Sequence, residues 1–367
     1  MTATIHHGDA LAVLRTLPAE SVHCVVTSPP YWRLRDYGVA GQYGLEDQVD
    51  CLGWATRQPC GQCFVCRLVA VFAEVRRVLR ADGTAWVNMG DSYAASALSV
   101  HARGRAGGPA NPARCAPPQG LKPKDLVGQP WRLALALQAG GWFLRSDIIW
   151  HKPNPMPSSV KDRPTVAHEY LFLLAKSPRY YWDASAMQEP TAALADGARP
   201  QSPYSVSFAR PVAEPSRPGQ SASQHRPSRQ KVPGGWDTKP GAHGSVHCEG
   251  RSAPQYADGV SDTRNRRSVW TIPTHPFPEA HYATFPPALV EPCLKAGCPA
   301  GGIVLDPFFG AGTTGLVARR LGRGFVGIEL NPDNCRMAKR RIERDTGLLG
   351  PVEIVAHGAA TQERKTA

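Results

Sequence analysis

The sequence predicts an α/β protein whose parallel sheet carries helices on both faces. Three observations lead there. Apolar runs of strand length alternate with amphipathic stretches of helical period from Thr4 to Ile342. One run, Ile303-Val304-Leu305, enters a glycine-rich turn, then a helix, then a second strand that ends in Glu329. Apolar residues make up 42% of the 367-residue chain, enough for a large core.

In chain order, Thr4–His7 reads as a strand, Ala10–Leu17 as a helix and Val22–Val26 as a buried strand stopped by Pro29-Pro30. Phe64–Arg80 is amphipathic, with Val65, Leu68, Val69, Phe72, Val75 and Leu79 on one face. Asp82-Gly83 is expected to turn the chain into a strand at Thr84–Met89. A helix is expected at Asp125–Ala139, ended by Gly140-Gly141, with strands at Ser146–Trp150 and Tyr170–Ala175. Phe285–Ala296 is a helix with Pro286-Pro287 in its first turn, where proline is tolerated. Strands at Gly302–Leu305 and Gly324–Glu329 and helices at Thr313–Leu321 and Asp333–Ile342 complete the pattern.

Two stretches do not fit a packed core. Residues 95–120 are rich in Gly, Pro, Ala and Arg and read as a mobile loop. Residues 199–267 hold 11 basic and 5 acidic residues but only seven of Val, Ile, Leu, Met, Phe or Trp. Such a segment reads as a long basic insertion. The whole chain has a formal charge of +12, which favours a polyanionic partner. Nothing reaches the ~18 apolar residues of a membrane helix. The start, MTATIHHGDALAVL, does not read as a signal peptide, so no membrane partner and a cytoplasmic location are expected.

Gly310, Gly312 and Gly315 spell GxGxxG, a pattern open to nicotinamide cofactors. The turn opens, however, with Asp306-Pro307-Phe308. A carboxylate there would repel a pyrophosphate but suits a cofactor with a cationic centre, such as S-adenosyl-L-methionine. Glu329 is placed to hold ribose hydroxyls. At the end of the Val22–Val26 strand stands Ser28-Pro29-Pro30-Tyr31. Its prolines remove N–H donors. Carbonyl acceptors, the Ser28 hydroxyl and the Tyr31 ring remain, a set suited to an exocyclic amine on a flat base.

Taken together, these motifs resemble those of the DNA amino-methyltransferases, which methylate cytosine N4 or adenine N6 with S-adenosyl-L-methionine. The catalytic motif precedes the cofactor loop by some 275 positions. That order is similar to the β class, a circular permutation of the Rossmann-like methyltransferase fold. The resemblance spans 3–93, 121–185 and 266–345. It implies a catalytic half at 1–185, a cofactor half at 266–345, a basic insertion at 186–265 as the candidate target-recognition region, and a tail at 346–367. The permutation also implies that Thr4–His7 pairs with the strand ending in Glu329. The implied catalytic residues are Ser28, Pro29, Pro30 and Tyr31. The implied cofactor residues are Asp9, Phe285, Asp306, Pro307, Phe308, Gly310, Gly312, Thr313, Thr314, Glu329 and Asn331. His281–Pro286 resembles the segment lining the methionine end of the pocket, and Trp86–Tyr93 the core after the catalytic strand. Trp32 is either a second wall for the base or core.

Ser at position 28 leans toward N4-cytosine in this family, with N6-adenine as the alternative. A non-catalytic DNA-binding relative is a further alternative, disfavoured by the intact motifs. Cytosine C5 chemistry is excluded: Pro59-Cys60-Gly61 and Pro292-Cys293-Leu294 do not match its Pro-Cys-Gln nucleophile. The partner the resemblance implies is double-stranded DNA, with phosphate contacts expected from Arg264, Arg266, Arg267, Lys161, Arg163 and His168. A cognate restriction endonuclease is a further partner the family implies. Within 51–66, Cys51, Cys60, Cys63 and Cys66 have spacing that can supply a tetrahedral site for structural Zn2+.

Overall fold

The computed structural model describes residues 2–34, 36–94, 120–190, 263–274, 285–347 and 350–357. The chain forms β1 (Ala3–His7), α1 (Ala10–Thr16), β2 (Val22–Thr27), α2 (Gly53–Thr56), α3 (Phe64–Val78), β3 (Leu79–Met89), α4 (Gln129–Ala139), β4 (Phe143–His151) and β5 (His168–Ala175). It continues with β6 (Gln188–Pro190), β7 (Thr263–Asn265), β8 (Val269–Thr271), α5 (Pro287–Gly297), β9 (Ile303–Asp306), α6 (Thr313–Arg320), β10 (Gly324–Glu329), α7 (Pro332–Thr346) and β11 (Glu353–Ala356). There are two compact units, Met1–Met187 with Arg266–Ala367, and Gln188–Asn265. The smaller unit is described only at the antiparallel pair β6–β7, where Arg264 meets Glu189 at 2.9 Å. Most of the expected basic insertion and of the 95–120 loop lies outside the described residues.

The larger unit holds a nine-stranded sheet in the order β11-β1-β10-β9-β2-β3-β5-β4-β8. Only β5 runs against the others among the described strands of this sheet, pairing antiparallel with both β3 and β4. The parallel sheet expected from the strand–helix alternation holds except at this one strand. The connection from β4 to β5 carries no helix and closes on itself through Lys152 N–H and the Ala167 carbonyl. A chain that returns without a crossover must pair antiparallel.

Alternate side chains of the central strands feed two cores. Val25, Ala85, Val87 and Leu305 pack with α1, α3 and α4 on one face. Cys24, Val26, Trp86 and Val304 pack with α5, α6 and α7 on the other. The permutation is visible in β1, which lies between β10 and β11 and pairs His7 with Glu329.

Three local expectations are corrected. Asp82-Gly83 does not turn the chain but lies inside β3, where the register jumps from Val22–Leu79 to Cys24–Thr84. Gly83 is needed there because a Cβ would meet the Leu79 side chain at 2.5 Å. Helix α4 starts at Gln129 rather than Asp125, because Leu126 bridges to Tyr93 and Asp91 caps the helix, accepting from the N–H groups of Gly128 and Gln129. The stretch 346–367, read as a tail, contributes β11 to the sheet edge.

Candidate functional site

The carboxyl ends of β1, β10, β9, β2 and β3 share one edge of the sheet, and β5 begins there. Every motif residue singled out from the strands sits on this edge, where open α/β sheets hold ligands.

At its centre lies Asp306, the last residue of β9, only 1% exposed. Its carboxylate accepts from Thr27 Oγ1 at 2.7 Å, Thr314 Oγ1 at 2.7 Å and Phe308 N–H at 3.1 Å. Thr314 Oγ1 also approaches the Val26 carbonyl at 3.2 Å. Burial pushes the Asp306 carboxyl up to about 6, against the pull of those hydrogen bonds. A carboxylate has about four lone-pair sites, so three donors leave one open.

The glycines of the turn have different reasons to be glycine. Gly310 and Gly312 have φ of 48° and 75°, left-handed values that disfavour a Cβ. Around Gly310 the space is open for 4 Å, so a ligand can approach its backbone. Gly315 instead makes room for a ring: a Cβ there would lie 2.6 Å from Phe309. Phe309 stacks on Phe325 at 5.4 Å in the buried face, behind the turn.

Glu329, at the end of β10, accepts from the N–H of Gly310 at 2.7 Å, from the N–H of Asn331 at 2.8 Å and from Asn334 Nδ2 at 3.2 Å. Burial pushes its carboxyl upward. Asp9 is one residue beyond the Gly8 N–H that donates to the Glu329 carbonyl at 3.0 Å, and it caps α1 through the Ala12 N–H at 2.9 Å. Tyr43 faces Asp9 and meets Phe308 edge-on at 5.7 Å; burial and the Asp9 charge push its hydroxyl upward. Asn331 caps α7 through the Asp333 N–H, and Thr313 Oγ1 accepts from Arg341 at 3.0 Å. Phe285 lines a crevice with Val26, Thr27, Asn88 and Leu171. His281–Thr284 lie outside the described residues.

Beside this cradle, Ser28 follows β2. Its Oγ lies 3.5 Å from the Tyr31 hydroxyl. The Tyr31 hydroxyl donates to Glu169 Oε2 at 2.6 Å, and Asn88 Nδ2 donates to Tyr31 Oη at 2.9 Å and to the same carboxylate oxygen at 2.6 Å. Lys152 Nζ pairs with Glu169 Oε1. Gly90 must be glycine, since a Cβ would press on the Tyr31 ring at 2.9 Å. Burial and the Glu169 charge push the Tyr31 hydroxyl well above the usual phenol range. Pro29 is buried and Pro30 half-buried. Trp32 is core, its Nε1–H donating to the Glu46 carbonyl at 2.8 Å.

The four cysteines converge, with every Sγ of Cys51, Cys60, Cys63 and Cys66 within 4.8 Å of the others. Backbone N–H groups aim at three of the sulfurs: Gly53 at Cys51, Gln62 and Cys63 at Cys60, and Cys66 at Cys63. Such donors favour thiolate and bring the Cys60 thiol down to about 7. The cluster joins the loop at Cys51 to the start of α3, and Asp50 ties it to Arg132 of α4 at 3.3 Å.

Of the basic groups, Arg163 lies over the Tyr93 ring at 3.6 Å, and His168 meets Tyr170 edge-on at the start of β5. Arg266 lies over Trp270 at 4.3 Å. Lys161 is exposed in the β4–β5 connection.

A family model described as DNA methylase, of the N6/N4 methyltransferases, matches residues 22–340. The chain belongs to this family. The Type II methyltransferase M.Cfr9I of Citrobacter freundii is 43% identical to this DNA methylase, over 95% of this chain and 90% of that one. Two solved structures share the fold. The PvuII DNA methyltransferase, named as cytosine-N4-specific, superposes with a TM-score of 0.53 at 17% identity, covering 96% of this chain and 95% of that one. A putative DNA modification methylase of Thermus thermophilus, complexed with S-adenosyl-L-methionine, also gives 0.53, at 21% identity, covering 97% and 99%.

Sequence reasoning missed four residues of the DNA methylase's site edge: Tyr43, Lys152, Glu169 and, as a functional side chain, Asn88. Only Asn88 had a signal, its place in Trp86–Tyr93. The others come from a loop and from the reversed strand β5 with its connection, whose pairing no local pattern announces. Among the described residues no helix is long and apolar enough to cross a membrane.

Proposed function

We propose that this DNA methylase transfers a methyl group from S-adenosyl-L-methionine to the exocyclic N4 of cytosine in double-stranded DNA. The observation that carries the reading is the position of Ser28, at the end of β2 and one residue from Thr27, which bonds Asp306 at the mouth of the glycine turn. An acceptor for an amine thus stands beside a cofactor cradle.

The cradle fits the cofactor by the chemistry of its donor set. Glu329 and Asp9 offer carboxylates to ribose and adenine, Gly310 an open backbone, and Phe308 and Tyr43 aromatic edges. Asp306, Thr313 and Thr314 border the charged amino-acid end, with Pro307, Gly312, Phe285 and Asn331 as wall. When bound, the cofactor supplies an electrophilic methyl group on a sulfonium. An exocyclic amine is a weak nucleophile because its lone pair is delocalised into the ring. Ser28 Oγ and the Pro29 carbonyl accept its hydrogens, draw the nitrogen toward sp³ and aim its lone pair. The base reaches them only when flipped from the duplex, and Tyr31 stacks on it. Arg163, Lys161, His168 and the arginines at 264, 266 and 267 meet phosphates. The Type II relatives support a cognate restriction endonuclease as partner.

The cysteine quartet fits structural Zn2+ in donor set and convergence. Cys51, Cys60, Cys63 and Cys66 would hold it, and it would fasten the loop after Tyr31 to α3 without taking part in methyl transfer.

The test is incubation of duplex DNA with methyl-labelled cofactor, digestion to nucleosides and mass spectrometry. Label in N4-methylcytidine supports the reading. Label in N6-methyladenosine replaces the target base. Cofactor binding without label on DNA of varied sequence returns the non-catalytic alternative.

A further inference from the structure

Hydrogen-bond polarity decides which side of Ser28 is open to a substrate. The Tyr31 hydroxyl has one hydrogen, and Glu169 Oε2 takes it at 2.6 Å. An ionised carboxylate can only accept. Glu169 is held by Lys152 on its other oxygen and by Asn88 Nδ2 at 2.6 Å, so it cannot swing away. Tyr31 Oη is therefore restricted to accepting. The two donors aimed at it are Asn88 Nδ2 at 2.9 Å and Ser28 Oγ at 3.5 Å. At 3.5 Å the Ser28 contact is longer than an ordinary O–H···O bond. A Ser28 hydrogen turned toward Tyr31 would leave the serine lone pairs facing elsewhere.

We infer that Glu169 is a positioning residue that sets the polarity of Ser28: through Tyr31 it turns the serine hydrogen inward and leaves the oxygen as an acceptor for the target amine. This role rests on the methyl-transfer reading above. Without the carboxylate, the Tyr31 hydrogen is free to point at Ser28. Ser28 would then accept from Tyr31 and direct its own hydrogen at the amine, hydrogen against hydrogen. A glutamine at 169 both donates and accepts, so it does not enforce either direction.

The test is a cycle of E169Q, Y31F and the double variant, with kcat and KM measured for duplex DNA and for S-adenosyl-L-methionine. Cofactor affinity and melting temperature are measured alongside. E169Q is expected to lower kcat about tenfold, the size of one misdirected hydrogen bond, with KM and cofactor affinity within about twofold. On the Y31F background, which lacks the relaying hydroxyl, E169Q is expected to cost nothing more. Unchanged kcat in E169Q, or losses that multiply in the double variant, would overturn the role. If E169Q fails to bind cofactor, E169A assayed with added formate replaces it: recovery of kcat supports the role and no recovery overturns it. A wild-type protein that labels neither base overturns the proposed function and this role together. A wild type that labels DNA beside an equally active E169Q overturns only the role.

Discussion

Thr27 Oγ1 and Asp306 Oδ1 lie 2.7 Å apart across 279 positions of sequence. This bond joins the strand that leads into the Ser-Pro-Pro-Tyr motif to the glycine turn after β9. With Thr314 on the other oxygen, it fixes the end of β2 against the glycine turn.

The Asp306 carboxyl gives a pH signature. Burial raises it from 3.8 to about 6 in the folded chain. Between those values the native state binds more protons than the unfolded one, so stability falls as pH rises from about 4 to 6. The full cost of ionising, at most about 3 kcal/mol, is present above pH 6. D306N should flatten this slope in denaturant titrations across that window. It should also weaken cofactor binding by about tenfold or more through loss of the charge facing the ammonium. A D306N protein whose stability retains the wild-type slope would show that another group titrates there.

Ser28→Ala removes the proposed acceptor and leaves the cradle intact. Loss of one positioned hydrogen-bonding group at a reacting centre costs about 100- to 1,000-fold in kcat. Calorimetry should find cofactor affinity unchanged. Equal loss of cofactor binding would move Ser28 from the chemistry to the pocket.

The cysteine quartet makes a metal prediction. Protein purified without chelator should carry about one zinc per chain by mass spectrometry of the metal. Cys63→Ser should shed it and melt about 5 °C lower, since Cys63 also caps α3. Activity should fall through disorder of the loop after Tyr31, not through loss of a Lewis acid. A metal-free protein of unchanged stability and activity would refute the site.

Much of this site was readable because its motifs are local. The strand at Gly324–Glu329 and its partner at the opposite chain end follow from apolar runs, a terminal acid and the family resemblance that implied the permutation. Elements that depend on distant pairing were not readable. Leu126 looks helical but pairs with Tyr93, which delays α4. The four residues of β11 are all exposed and lack any apolar alternation. Glu169 reads as an ordinary charge at a strand start; only the reversal of β5 brings it to Tyr31.

The glycines around Phe309 yield the last prediction. GxGxxG is usually read as ligand approach throughout, yet only Gly310 has open space before it. Gly315 and Gly327 instead bracket the Phe309 ring, and a Cβ on either would collide with it. Gly327→Ala should therefore cost about 1–3 kcal/mol, the usual size of overpacking in a tight core. The damage lies behind the turn, so a smaller ring partner should repair it: Gly327→Ala with Phe309→Leu should recover part of the lost stability, although Phe309→Leu alone destabilises. Thermal melts of the four proteins measure the coupling. If the two losses simply add, the ring is not what keeps position 327 a glycine.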